Sequence, residues 1–293
     1  MKNAWKVTVW GVRGSMPMAS APFLGYGGNT ACISVDRGEG GIVVFDAGSG
    51  LMGLGDSLAD RLMAGSGQER AAGRERLVHI LLSHLHMDHV MGFFGFRLFH
   101  EKGARIHIYG QGSGGSLKGQ LETMFGPPYW PLGLADLRAD IQIHEIGPGD
   151  HFYLEEDGGE KGTELARIRT FRGNHPGQSL LYRLEQGEKS IVHALDCELD
   201  RGTEDGLEAF ARHSDLLIWD GTFTKEELGV RKGWGHSCWE QGIGMRQAAA
   251  AGKVLVTHYS SGYTDRFLEE QERLARAEDG ACHFAREGME LWI

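Results

Sequence analysis

A run of seven residues, Ser83-His84-Leu85-His86-Met87-Asp88-His89, constrains the fold of this chain more than any other feature. It follows the apolar stretch 77–82, which is typical of a buried strand, and the pattern after it predicts a helix from Asp88 to about His100. Imidazole and carboxylate groups are the ligands that zinc, iron and manganese accept. Because burying such polar groups at a strand end without a partner is costly, the run predicts a metal site. Four ligand-type side chains in so short a span favour two ions over one.

Further ligand-type side chains stand at the ends of later β-rich runs: Asp196 after 191–195, Asp220 after 216–219 and His258 after 254–256. The carboxyl ends of strands in sheets with helical crossovers are where such folds usually build their sites. Asp46 also ends a predicted strand, 42–45, but the glycine-rich turn after it supplies backbone amides. We therefore expect Asp46 to support the site and not to bind metal.

The motif His84-x-His86-x-Asp88-His89 resembles the signature of the metallo-β-lactamase superfamily. The resemblance implies an α/β fold of the αββα four-layer sandwich type, with one or two metal ions at the ends of its central strands. It also implies the remaining ligands, which here are His175, Asp196 and His258, in the order that the superfamily has them.

On this basis we assign one ion to His84, His86 and His175, and the second ion to Asp88, His89 and His258. Asp196 then bridges the two ions, which such sites hold about 3.5–4 Å apart. Its rivals are Glu198 and Asp200, but Asp196 comes first after the strand.

Two further motifs are similar to those of the phosphodiesterase branch of the superfamily, which contains ribonuclease Z and small bacterial phosphodiesterases. They are Trp219-Asp220-Gly221-Thr222-Phe223 and Gly233-Trp234-Gly235-His236-Ser237. The resemblance implies that Asp220 orients His236, which serves as general acid or transition-state stabiliser, a role worth about 10²–10⁴ in rate. The alternative for His236 is an ordinary polar residue at the start of a predicted helix, 236–251. The predicted catalytic residues are His236, Asp220 and Asp88, the last also a ligand.

The resemblance thus implies a dinuclear-metal-dependent hydrolase whose nucleophile is a metal-bridging hydroxide. Zinc is the expected metal, with manganese or iron as alternatives, and the expected substrate is a small phosphodiester such as a cyclic nucleotide. The alternatives are an RNA endonuclease similar to ribonuclease Z, an ester or lactone hydrolase, and a ligand sensor that keeps its metals. The net charge of −10 and the lack of a long basic Gly/Pro-rich arm argue against a long nucleic acid as partner.

We expect one domain, 1–293, in which residues 110–138 form a lid or pocket wall with the aromatic loop 126–131. Stretches 137–146 and 151–154 are expected as strands of the second layer, 65–74 as a surface loop and 155–160 as a solvated acidic turn. Arg13 either neutralises a phosphate or pairs with an acidic side chain.

Composition suggests where the protein works. No apolar stretch is long enough for a membrane span, and the N-terminus has no signal-peptide pattern. The four cysteines are widely separated, which favours reduced thiols and a cytoplasmic protein. The sequence allows a homodimer without specifying one. The eight histidines outside the site are expected to have core or surface roles.

Overall fold

The computed structural model describes residues 4–38, 40–64, 76–155 and 165–293. The predicted loop 65–74, and the predicted acidic turn apart from Glu155, lie outside these ranges.

The chain forms its strands in this order: β1 (Lys6–Gly11), β2 (Cys32–Asp36), β3 (Ile42–Phe45), β4 (Leu77–Leu81), β5 (Arg105–Gly110), β6 (Asp140–Glu145), β7 (His151–Tyr153), β8 (Arg167–Gly173), β9 (Ser179–Gln186), β10 (Lys189–Ala194), β11 (Leu216–Asp220), β12 (Lys253–Thr257), β13 (Cys282–Phe284) and β14 (Glu290–Trp292). Over the described ranges they make two seven-stranded sheets, in the orders β14-β1-β2-β3-β4-β5-β6 and β13-β12-β11-β10-β9-β8-β7. In the first sheet β3 to β6 run parallel, and in the second sheet β10 to β13 do. Each sheet therefore carries several carboxyl ends along one edge.

The helices are α1 (Leu51–Ala64), α2 (Met87–Val90), α3 (Leu117–Met124), α4 (Glu204–Ala211), α5 (Lys225–Val230), α6 (Trp239–Ala248) and α7 (Asp265–Glu278). One apolar core contains side chains of α1 and α3 with the outer face of the first sheet, and a larger core fills the space between the sheets and reaches α4, α6 and α7. This arrangement is the predicted αββα sandwich. Among the described residues, no helix is long and apolar enough to span a membrane.

Histidines take the place of apolar side chains at one side of the space between the sheets. His79 and His107 face each other in register on β4 and β5, and His144 stacks on Tyr109 with ring centres 4.4 Å apart. His79 is fully buried, and its Nε2 lies 2.9 Å from the carbonyl oxygen of Glu155. His79 and His107 are buried, whereas His144 is half-buried, and together they form a cluster that the sequence did not reveal.

Three predicted elements were wrong. The helix expected from Asp88 to His100 is only the short α2, followed by 3₁₀ turns at Met91–Gly95 and Arg97–His100. A side chain at Gly92 would collide with the carbonyl oxygen of Gly48, so the chain passes here in close contact with the turn after β3. Strand β6, expected in the second layer, pairs with β5 in the first sheet.

The third wrong element is the helix expected to begin at His236. Helix α6 begins at Trp239 with Cys238 as its N-terminal cap, so His236 lies two residues before the cap. His236 is therefore not a residue at the start of this helix, which was the alternative role for it.

Residues 110–138 pack against the outer face of the first sheet. Leu117, Leu121 and Phe125 are buried in its core, and Trp130 stacks on Phe94 with ring centres 4.6 Å apart. Tyr129 stays 70% exposed. The role of this segment as a lid or pocket wall stays a prediction.

Candidate metal centre

The two sheets bring the predicted ligands together where their strand ends meet. Strand β4 leads to His84 and His86, and α2 carries Asp88 and His89. From the second sheet, His175 follows β8, Asp196 follows β10 and His258 follows β12. Because Leu180 donates its backbone N–H to the carbonyl oxygen of Ser83 at 2.8 Å, the two sheets are joined directly beside the site.

The first group of candidate ligands consists of His84, His86 and His175. One ligand atom of each lies within 4.8 Å of the others, and His175 Nε2 is 3.3 Å from His86 Nδ1. The geometry therefore brings together the three residues that we assigned to one ion.

The second group consists of Asp88, His89 and His258. The Nε2 atoms of the two histidines are 3.1 Å apart, and each lies 3.4 Å from Asp88 Oδ2. These three residues are the set assigned to the second ion.

Asp196 lies between the two groups. Its Oδ2 is 3.2 Å from His89 Nε2 and 3.3 Å from His258 Nε2, whereas its Oδ1 is 3.8 Å from His175 Nε2. One oxygen thus faces each group, as a bridging carboxylate requires. Its rival Glu198 binds backbone amides at Gly233 and Gly235 instead, and Asp200 holds the turn at Gly202 and Thr203.

The donor set fits a pair of divalent cations. His84 Nε2 and Asp196 Oδ2 are buried and have no hydrogen-bond partner within the described part of the chain. Burial alone would raise the pKa of Asp196 because it favours the neutral carboxyl, but the nearby His258 and His89 hold this pKa well below the ordinary value. Burial, together with His89, lowers the pKa of His84 well below the ordinary value, so this imidazole is neutral. A neutral imidazole and an ionised carboxylate are the forms that bind zinc, manganese or iron.

Further side chains orient the candidate ligands. Asp46 Oδ2 is 2.9 Å from His89 Nδ1, and Thr222 Oγ1 is 2.9 Å from His258 Nδ1. Each contact fixes one ring nitrogen and turns the other toward the centre. Asp46 also accepts hydrogen bonds from the backbone N–H and the hydroxyl of Ser83, and these replace the glycine-turn amides that we expected.

Asp220 and His236 form the predicted pair beside the candidate ligands of the second sheet. His236 Nδ1 lies 2.9 Å from Asp220 Oδ2 and 3.6 Å from Asp196 Oδ1. Burial lowers the pKa of His236, but the carboxylate of Asp220 outweighs that effect and raises the pKa to about 9. Asp220 is fully buried and also accepts hydrogen bonds from the backbone N–H groups of Asp196 and Thr222, which fix its orientation.

Two supporting contacts were missed from the sequence. The backbone N–H of Ser15 donates to Asp88 Oδ2 at 2.6 Å, and the carbonyl oxygen of Gly235 lies 3.1 Å from His175 Nδ1. Both are backbone contacts from distant loops, so no side-chain signal exists for them. Thr222 lies in the Asp220-Gly221-Thr222 motif, and that motif was the available signal for its role.

Three residues of the candidate site have left-handed backbone conformations, which residues other than glycine rarely adopt. Asp46, Asp196 and His258 have φ values of 58°, 52° and 62°. Each follows directly after a strand or one residue beyond it. Such conformations cost about 1–3 kcal/mol each and concentrate at functional sites.

The side chain of Arg13 is bound by neighbouring backbone groups inside the fold. Its guanidinium is fully buried and donates hydrogen bonds to the backbone carbonyl oxygens of Gly27, Tyr263 and Phe23. Asp265 lies 3.8 Å away. Of the two roles considered, the pairing with an acidic side chain matches its surroundings.

Comparison with protein families gives a match to the model described as "Beta-lactamase superfamily domain", over residues 42–259. Among curated proteins, ribonuclease Z of Haloarcula marismortui is 25% identical, and the match covers 97% of this chain and 96% of that protein. Ribonuclease Z of an Exiguobacterium species is 33% identical, with 65% of this chain and 74% of that protein covered.

Solved structures share the fold over nearly the whole chain. The metallo-beta-lactamase fold protein YhfI from Bacillus subtilis has a TM-score of 0.66 at 18% identity, with 100% of both chains covered. The short form of human tRNase Z has a TM-score of 0.65 at 20% identity, with 98% of both chains covered. A diphosphatase from the PhnP family has a TM-score of 0.62 at 17% identity, with 99% of this chain and 97% of that chain covered.

Proposed function

The chain belongs to the beta-lactamase superfamily domain family, and we propose that it is a dinuclear-metal-dependent phosphodiesterase that acts on a small phosphodiester, such as a cyclic nucleotide. The observation that carries the proposal is the contact of 2.9 Å between Asp220 and His236, next to the carboxylate of Asp196. A buried carboxylate that orients a histidine beside the candidate ligands would supply a proton donor for a phosphoryl group bound there, and this supports the proposal. Metal binding alone requires no such pair.

Seven residues would bind the metal ions in this proposal. The candidate ligands His84, His86, Asp88, His89, His175, Asp196 and His258 would hold two divalent ions, for which zinc is the first choice and manganese or iron the alternatives. When bound, such ions activate water as a nucleophile and polarise a phosphoryl oxygen.

His236 would act as the acid. Asp220 binds its Nδ1, and the carboxylate favours the protonated ring because it raises the pKa of His236. The remote ring nitrogen, Nε2, is then the atom that donates a proton to the departing oxygen or stabilises charge on the phosphoryl group. Asp88 would serve both as ligand and as acceptor of a proton from the attacking water.

The first test is hydrolysis of bis(p-nitrophenyl) phosphate by protein loaded separately with zinc and with manganese, with metal content measured for each sample. We expect release of nitrophenol with at least one metal and none from Asp196→Ala. We expect His236→Ala to keep its metal and to lose about 10²–10⁴ in kcat. His100→Ala, at an exposed histidine on the 3₁₀ turn after α2, is the matched control and should behave as the wild type.

The proposal fails if neither metal supports release at confirmed occupancy. The role of His236 fails if His236→Ala loses metal while turnover per bound metal stays unchanged.

A second candidate function is RNA cleavage of the ribonuclease Z type. It is favoured by the relatives of that name, one of which is matched over 96% of its length. These relatives do not support the expectation against a long nucleic acid as partner. The net charge of −10 still favours the smaller substrate. Comparing kcat/KM for a cyclic nucleotide and for a precursor transfer RNA on the same preparation decides between the two functions.

A further inference from the structure

A tryptophan is exposed on the loop that leads to His236. Trp234 is 58% exposed, although tryptophan usually buries most of its surface. The ring of Phe223 lies 5.2 Å from the ring of His236 and 6.3 Å from the ring of Trp234, measured between centres. An exposed aromatic ring thus lies one side chain away from the proposed acid.

This loop is held in place at both ends. Glu198 Oε2 accepts hydrogen bonds from the backbone N–H groups of Gly233 at 2.7 Å and Gly235 at 3.1 Å. The carbonyl oxygen of Gly235 contacts His175, and a Cβ at Gly235 would collide with that ring. The backbone on both sides of Trp234 is therefore fixed relative to the candidate ligands.

Arg231 supports the ring of Trp234. Its guanidinium lies 5.4 Å from the Trp234 ring centre and 4.8 Å from that of Phe223, and it pairs with Glu227 at 3.3 Å. Arg231 thus holds the tryptophan ring through a cation–π contact, and Glu227 pairs with its charge. A rigid, supported and exposed aromatic ring is a stacking surface for a flat group.

We propose that Trp234 is a specificity residue that stacks on the base of a nucleotide substrate while its phosphodiester lies at the metal centre. The inference rests on the proposed phosphodiesterase function and names nucleotides as its substrate class. Because stacking on an aromatic side chain accepts any base and grows with the area of the π-face, purines should bind more tightly than pyrimidines.

The test compares two esters that share the p-nitrophenol leaving group, thymidine 5′-(p-nitrophenyl) phosphate and methyl p-nitrophenyl phosphate. Their ratio of kcat/KM isolates the contribution of the nucleoside. We expect Trp234→Ala to lower this ratio about tenfold, the order expected when one stacked base loses its partner, and Trp234→Phe to retain most of it. Trp292→Ala, at a tryptophan that is 57% exposed on β14, is the matched control and should leave the ratio unchanged.

A binding measurement separates this inference from the proposed activity. In titrations of the metal-loaded protein by calorimetry, Trp234→Ala should weaken the binding of AMP about tenfold and leave that of inorganic phosphate unchanged. If both esters are hydrolysed and Trp234→Ala changes neither the ratio nor AMP binding, the stacking role is wrong. The role is also wrong if the variant lowers kcat/KM equally for both esters. If neither ester is hydrolysed but AMP binding depends on Trp234, the proposed activity fails and the stacking surface stands.

Discussion

His79 should make the stability of this protein depend on pH. Its side chain is fully buried between the sheets, and its ring centre is 5.1 Å from that of His107. Burial, with smaller contributions from His107 and Arg37, lowers the pKa of His79 from 6.5 to about 3. In the unfolded chain His79 takes up a proton as the pH falls below 6.5, whereas in the folded protein it stays neutral down to about 3. The stability that a neutral His79 provides is therefore fully present above pH 6.5 and is lost as the pH falls from there toward 3.

The size of this effect follows from proton linkage. Between pH 7 and pH 5, a histidine with these two pKa values lowers the free energy of unfolding by about 2 kcal/mol. The measurement is urea denaturation of metal-free protein at both pH values. Between pH 7 and pH 5, the free energy of unfolding should fall by about 2 kcal/mol more in the wild type than in His79→Leu, because the variant has no group to titrate at this position.

Leu77→Ala is the control. Leu77 is a buried neighbour on the same strand, and its truncation should lower stability by the same amount at both pH values. The reasoning is refuted if His79→Leu loses as much stability between pH 7 and pH 5 as the wild type does.

Three further changes have expected outcomes. Tyr182→Phe removes the hydroxyl that donates to the buried carbonyl oxygen of Leu82 at 2.6 Å, so the free energy of unfolding should fall by about 1–3 kcal/mol in urea denaturation; an unchanged value would show that this carbonyl finds another partner. Asp46→Asn weakens the contact that orients His89, so zinc affinity, measured by competition with a chelating dye, should fall about 10–100-fold, and equal affinity would exclude this role for Asp46. Gly235→Ala places a methyl group against the candidate ligand His175 from a left-handed backbone with φ of +84°, so kcat should fall at least tenfold; wild-type turnover would mean that the loop moves freely.

The sequence was sufficient for the fold and for the grouping of the candidate ligands. The motif at 84–89 indicated the family, and the family membership and sandwich fold are confirmed. Because parallel strands end at a common edge, residues after separate strands, such as Asp196 and His258, could be expected to meet. The assignment of these residues as ligands stays a prediction, although the structure brings them together.

Other features could not be read from the sequence because they depend on distant contacts. The alternation of residues in β6 fits either sheet, and only its pairing with β5 decides the layer. The break of the predicted helix after Val90 follows from the close approach of Gly92 to another turn, which no local pattern records. The support that Asp88 receives from the backbone of Ser15 is invisible for the same reason.

Each group of candidate ligands contains two residues from the first sheet and one from the second. His175 completes the first group and His258 the second, so neither group exists unless the two sheets are docked. By mass action, an ion present at a hundred times its dissociation constant would add about 2.7 kcal/mol to the stability of the docked state. Metal ions would therefore act as reversible cross-links between the halves of the sandwich, and the available concentration of free metal would set how firmly the halves are joined.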